Sequence, residues 1–132
     1  MDAETKSRVR DRAGNRCEYC RIHQRHYLIT FHIEHIVARQ HHGSHDDFNL
    51  AFACHFCNRH KGSNLAGIDP ESGELTRLFN PRSDDWNSHF RLQAGRIVGL
   101  TPVGRTTVYV LNMNRPDRVR VRIELEPETF LG

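Results

Sequence analysis

Cys54-His55-Phe56-Cys57-Asn58-Arg59-His60-Lys61-Gly62 decides the fold when it is read with its upstream counterpart, Cys17-Glu18-Tyr19-Cys20. These two CxxC pairs hold all four cysteines of the chain, with 33 residues between them. A CxxC lets a tight turn aim two thiolates at one ion, and two such pairs complete the closed tetrahedral site of a structural zinc. The spacing therefore predicts one Zn²⁺ held by Cys17, Cys20, Cys54 and Cys57. A thiol redox protein would want one CxxC near a βαβ pattern, and it would leave the polar residues between the pairs unexplained.

Working outward, nine of the ten histidines lie between His23 and His60, the same stretch that the cysteines bracket. Residues 28–37 read as a strand, followed by a polar loop with Gly43, Ser44, Asp46 and Asp47 and by a short apolar run over 50–53. The second CxxC then enters a stretch with no breaker until Gly62, which ends a short helix well. Strand, loop, strand and helix around a metal is the expected order.

With Ile33-Glu34-His35-Ile36 and Asn49-Leu50 between the knuckles, the chain resembles an HNH endonuclease of the cysteine-knuckle type. Further on, Phe79-Asn80-Pro81-Arg82, Trp86, His89-Phe90 and the run from Gly99 to Arg105 are similar to the C-terminal part of short bacterial HNH proteins. The resemblance implies an α+β fold with a small zinc-stapled ββα-metal, treble-clef-like core and a C-terminal hairpin-plus-helix extension. It also implies metal-dependent hydrolysis or nicking of DNA, leaving 5′-phosphate and 3′-hydroxyl ends.

Residue by residue, the resemblance makes His35 the general base, a role that suits an imidazole poised near neutrality. It makes Asn49 the residue that orients His35, by a side-chain or backbone hydrogen bond. Glu34 would give a hard oxygen to a divalent ion, with Asn58 as the second ligand. Glu stands at 34 where the family often has Asp, and Asn at 58 where it often has His; an all-oxygen pair suits Mg²⁺ or Mn²⁺. On a regular strand neighbours point to opposite faces, so Glu34 and His35 can address one phosphate only if the strand ends or kinks there. His60 lies about 200° round the helix from Asn58 and cannot face the same ion. Arg59, Lys61 and His55 are read as phosphate contacts, His32 as a strand-face residue, and His41, His42 and His45 as solvated loop residues.

The chain has 132 residues, with 37% apolar and 27% charged side chains, so it suits a globular protein with a modest core. Its net charge of +3 does not by itself mark a nucleic-acid binder, although the basic residues gather at both ends around an acidic middle. No apolar run approaches a membrane span, and residues 1–16 are charged throughout without a signal-peptide core, which gives a cytoplasmic expectation. The expected division is a nuclease core over 1–66 and an extension packed on it over 67–132, with no chemistry of its own. Within the extension, 69–73 reads as a turn in a linker, and 89–92 with 96–100 as a hairpin. Thr101-Pro102 starts a helix reaching about Asn112. Residues 119–125 alternate as a strand with a basic outer face, whereas the related proteins imply helix. The expected partner is DNA, double-stranded and contacted through its backbone; the rival reading is a non-catalytic zinc-stabilised nucleic-acid-binding module.

Overall fold

The computed structural model describes residues 1–125, so the last seven residues of the expected 67–132 extension lie outside it. Helix α1 (Ala3–Arg12) starts at Asp2, whose carboxylate accepts the Thr5 N–H at 2.7 Å, and carries Arg10 and Arg12 in its last turn, where cations oppose the helix dipole. Nothing in the charged N-terminal stretch had suggested this helix. Its one fully buried side chain, Val9, anchors it to the core.

Strands β1 (His32–His35) and β2 (Leu50–Ala53) form an antiparallel ribbon in which His32 faces Ala53 and His35 faces Leu50. β2 coincides with the expected run. β1 is shorter than the expected strand over 28–37, because Leu28 and Ile29 are exposed and β2 offers only four partner residues. From β2 the chain passes through Cys54, whose sulfur accepts the Cys57 N–H at 3.3 Å and so caps helix α2 (His55–Lys61). Gly62, at φ +51°, closes that helix in a conformation that glycine adopts without strain.

Beyond α2 the expected linker is a second hairpin, β3 (Ala66–Ile68) with β4 (Leu75–Arg77), turned by Asp69 to Gly73. A short helix α3 (Trp86–His89) leads into the hairpin β5 (Phe90–Gln93) and β6 (Arg96–Gly99), close to its expected place. Helix α4 (Pro102–Val110) begins as expected, with the Thr101 hydroxyl accepting the Gly104 N–H at 3.0 Å. Residues 116–125 form helix α5 (Pro116–Leu125), the alternative that the related proteins imply, not the strand that the alternation allows. The apparent alternation hides a helical spacing of a different kind: Arg118 and Arg122, one turn apart, are the buried residues, while Ile123 and Leu125 are exposed.

The fold is thus α+β, with three two-stranded sheets among the described residues. One core runs through both halves, from Tyr19, Ile22 and Phe52 to Phe79, Trp86, Phe90 and Leu111. The Trp86 indole N–H donates to the Tyr19 carbonyl at 2.8 Å, and Arg82 pairs with Glu18. No described helix is long and apolar enough to cross a membrane.

Candidate active site and metal centre

Cys17, Cys20, Cys54 and Cys57 are all buried, and their sulfurs lie within 4.8 Å of one another. Zn–S bonds of roughly 2.3 Å in a tetrahedron require sulfurs about 3.8 Å apart. Cys20 and Cys54, one from each pair, have sulfurs 3.7 Å apart. Within each knuckle the backbone helps: the Cys20 N–H points at the Cys17 sulfur at 3.5 Å, as the Cys57 N–H does at Cys54. The four residues therefore fit a structural zinc ion.

α5 completes this centre. Arg118 Nη2 donates to the sulfurs of Cys54 and Cys57 at 3.3 and 3.0 Å, and its Nη1 reaches the Leu111 carbonyl at 3.3 Å. Burial works against the guanidinium charge, but the neighbouring Cys20, Cys57 and Cys54 outweigh it and hold the Arg118 pKa above its ordinary value. Four thiolates on Zn²⁺ carry a net charge of −2, which a buried arginine offsets. Arg122, one turn on, donates to the carbonyls of Gly95 and Met113 and ties α5 to the β5–β6 hairpin. The extension thus supplies a residue to the metal centre that sequence reasoning missed. Only the four-residue spacing of the two arginines, with the helix that the related proteins imply there, could have hinted at it.

At the other end of the β1–β2 ribbon, Glu34 and His35 part company. β1 stays regular through His35, so the two side chains leave opposite faces. Glu34 is buried, accepts a hydrogen bond from the Tyr19 hydroxyl and lies 3.6 Å from Lys61 Nζ. Burial pushes its pKa up, against the pull of Lys61 and Tyr19. The kink that would let Glu34 and His35 meet one phosphate is absent. Lys61 is likewise not the expected phosphate contact: it is 2% exposed and donates to the Ile36 carbonyl at 2.9 Å. Its position on the inner face of α2, against β1, is the physical reason.

His35 is half-buried, and its Nε2 lies 2.9 Å from Nδ1 of His45. One nitrogen of that pair must carry the proton. If His35 donates, its own Nδ1 is left as a free base. Burial, His45 and Arg39 lower the His35 pKa, which favours the neutral imidazole. His45, expected to be merely solvated, is therefore the side-chain partner of His35. Asn49 serves this arrangement from behind: its Oδ1 accepts the Val37 N–H at 2.9 Å, and its Nδ2 donates to the carbonyls of Val37 and Ser44 at 3.1 and 2.8 Å. Among the described residues it makes no bond to the His35 ring. It straps the loop that carries His45.

That loop folds tightly on itself. A Cβ on Gly43 would sit 1.6 Å from the Val37 carbonyl oxygen, so only glycine fits. Asn58, on α2, is partly buried and makes no side-chain hydrogen bond among the described residues, while His55 and Arg59 are exposed.

Residues 17–64, from the first cysteine to just past α2, match the model of the HNH endonuclease family. The likeness is confined to this segment, which is under half of the chain. Comparisons with curated proteins and with solved structures give no match. The matched segment spans the four cysteines, His35, His45, Asn49 and Asn58, but α1, Trp86 and Arg118, which pack against it, lie outside the matched stretch.

An open groove of about 430 Å³ borders the matched segment where α1 passes β1, lined by Lys6, Arg10, Phe31, His32, His35 and Phe52 among others. His32 is partly buried, and its Nε2 has no hydrogen-bond partner among the described residues.

Proposed function

We propose that this protein hydrolyses DNA phosphodiester bonds, with His35 as general base. Nδ1 of His35 takes a proton from a water molecule whose oxygen attacks phosphorus; the bond to the 3′ oxygen breaks, and that oxygen leaves as a 3′-hydroxyl after protonation by solvent. The 5′-phosphate product follows from the HNH resemblance. A general base of this kind works when its tautomer is fixed and its pKa keeps it neutral near pH 7. The observation that carries the reading is the 2.9 Å contact between His35 and His45, inside the segment that matches the HNH family and beside an open groove.

The divalent ion implied by the resemblance does not fit a ready pair of ligands here. Glu34 is committed to Tyr19 and Lys61, which leaves Asn58 as a single neutral oxygen donor. That commitment of Glu34 favours a second reading, in which the matched segment is a zinc-stabilised module that binds nucleic acid without cutting it.

Supercoiled plasmid separates the two. Zinc-loaded protein is expected to convert it to nicked or linear forms, with added Mg²⁺, added Mn²⁺ and no added ion as parallel arms. Binding without conversion under every ion condition supports the module and removes the nuclease.

A further inference from the structure

We propose that α1 forms a phosphate track that seats the backbone of duplex DNA alongside His35. The inference rests on the reading of the chain as one that acts on DNA, and it assigns the contact to residues outside the matched segment.

Helix α1 carries four cations: Lys6, Arg8, Arg10 and Arg12. At 100° per residue they fall into two pairs, each one turn apart, on opposite sides of the helix. Arg8 and Arg12 face the segment that leads into β2. Arg8 grips the Asp47 carboxylate at 3.0 and 3.2 Å, and Arg12 donates to the carbonyls of Asp47 and Leu50 at 3.1 and 2.7 Å. These bonds fasten α1 to the segment that joins the His45 loop to β2. Lys6 and Arg10 are left on the other side, with no ion pair among the described residues, and both line the groove that His35 lines. The bonded pair thus fixes the helix, and the other pair holds two charges without an ion pair among the described residues along the groove that the imidazole lines.

Two positive charges one helical turn apart, on a rigid support beside a candidate base, suit successive phosphates of a nucleic acid strand. The lining also indicates which nucleic acid. Single strands are held through bases stacked on exposed aromatic rings. The phenyl rings of this groove, Phe31 and Phe52, are 5% and 1% exposed, and the imidazoles of His32 and His35 are themselves partly buried, so the lining offers no open stacking platform. A backbone whose bases stay paired is the ligand that remains.

The test is binding of zinc-loaded protein to a fluorescent DNA duplex over a range of salt concentrations, with no other divalent ion added. Each neutralised phosphate contributes about 0.9 to the slope of log affinity against log salt. Lys6→Gln with Arg10→Gln is therefore expected to reduce that slope by about 1.8 and to weaken binding alike across unrelated sequences, with zinc content and melting unchanged. The charge-matched control, Arg91→Gln with Arg96→Gln on the distant β5–β6 hairpin, is expected to keep the wild-type slope. The track is overturned if the α1 variant keeps the wild-type slope, if both variants lose it equally, if single strands bind better than duplex, or if wild-type protein binds no duplex. Plasmid cleavage is followed in parallel. A wild-type slope in the α1 variant with active cleavage removes the track and leaves the nuclease; the expected slope change without cleavage in any protein does the reverse.

Discussion

The two ends of the β1–β2 ribbon are built in opposite ways. At the end where β2 runs into Cys54, four thiols are sealed from water, and the neighbouring charge is answered by a buried arginine. At the other end His35 meets His45 on a half-open loop bordered by a groove with two cations that have no ion pair among the described residues. Charge at the dry end is compensated inside the protein, which suits a staple. Charge at the wet end is left for a ligand, which suits chemistry. Glu34 shows that neighbours on one strand can fall on different sides of this division: it faces inward to Tyr19 and Lys61, and His35 faces out.

The largest effect should come from breaking the dry end. Structural zinc contributes roughly 10 kcal/mol or more to folding in small domains, against a total stability of about 5–15 kcal/mol. Cys54→Ser is expected to lose zinc and the cooperative melting transition together. A zinc-free Cys54→Ser protein that melts at the wild-type temperature would show that the cluster is not the staple. At the wet end the pattern should invert. His35→Ala should leave zinc content and melting nearly unchanged while plasmid turnover falls about 10²- to 10⁴-fold, with His41→Ala as the loop control. Wild-type cleavage by His35→Ala would place the base elsewhere.

Two smaller effects sharpen the contrast. Replacing Arg118 by Leu removes the charge beside the thiolates and keeps much of the volume. Outer residues of metal sites typically affect metal affinity about 10- to 100-fold, so chelator competition should show a loss in that range. Unchanged affinity would reduce Arg118 to a packing residue. Asp69, in the β3–β4 turn, is distant from both chemistries. Arg105 first, then the Glu71 N–H and the Ser72 hydroxyl, hold its pKa below the ordinary carboxylate value. A depressed folded pKa contributes stability above the unfolded value of roughly 3.9, lost as pH falls through the folded one. Asp69→Asn should therefore melt lower than wild type at pH 7, the gap should narrow below about pH 4, and zinc content should not change. A gap that persists at low pH would mean that the hydrogen bonds, not the charge, carry the contribution.

Where the sequence was legible, the signal was local. Cysteine spacing, the β2 run, the Gly62 stop, the β5–β6 hairpin and the Thr101-Pro102 start each depend on residues close together along the chain, and the structure puts them close to where they were expected. What escaped depends on partners far away. Arg118 is buried only because thiolates 61 and 64 residues earlier accept its hydrogen bonds, so no periodicity rule that counts arginine as polar finds α5. The same applies to Lys61, drawn inward by Glu34 and the Ile36 carbonyl, and to His45, which looked solvated until the loop brought it to His35. α1 escaped because Val9 is its single fully buried side chain.

The Trp86 indole has a consequence for portability. It satisfies the Tyr19 carbonyl inside the first knuckle, and the Arg21 guanidinium lies 4.8 Å from the centre of its ring. A transplanted 17–64 fragment would carry every cysteine and every histidine that the chemistry needs. It would arrive with that carbonyl bare, the metal's charge unanswered and Val9 missing from beneath the ribbon. In this molecule the stretch that matches the family is smaller than the stretch that completes the metal centre, and a protein engineer who wants to move the site whole would move the helices at either end with it.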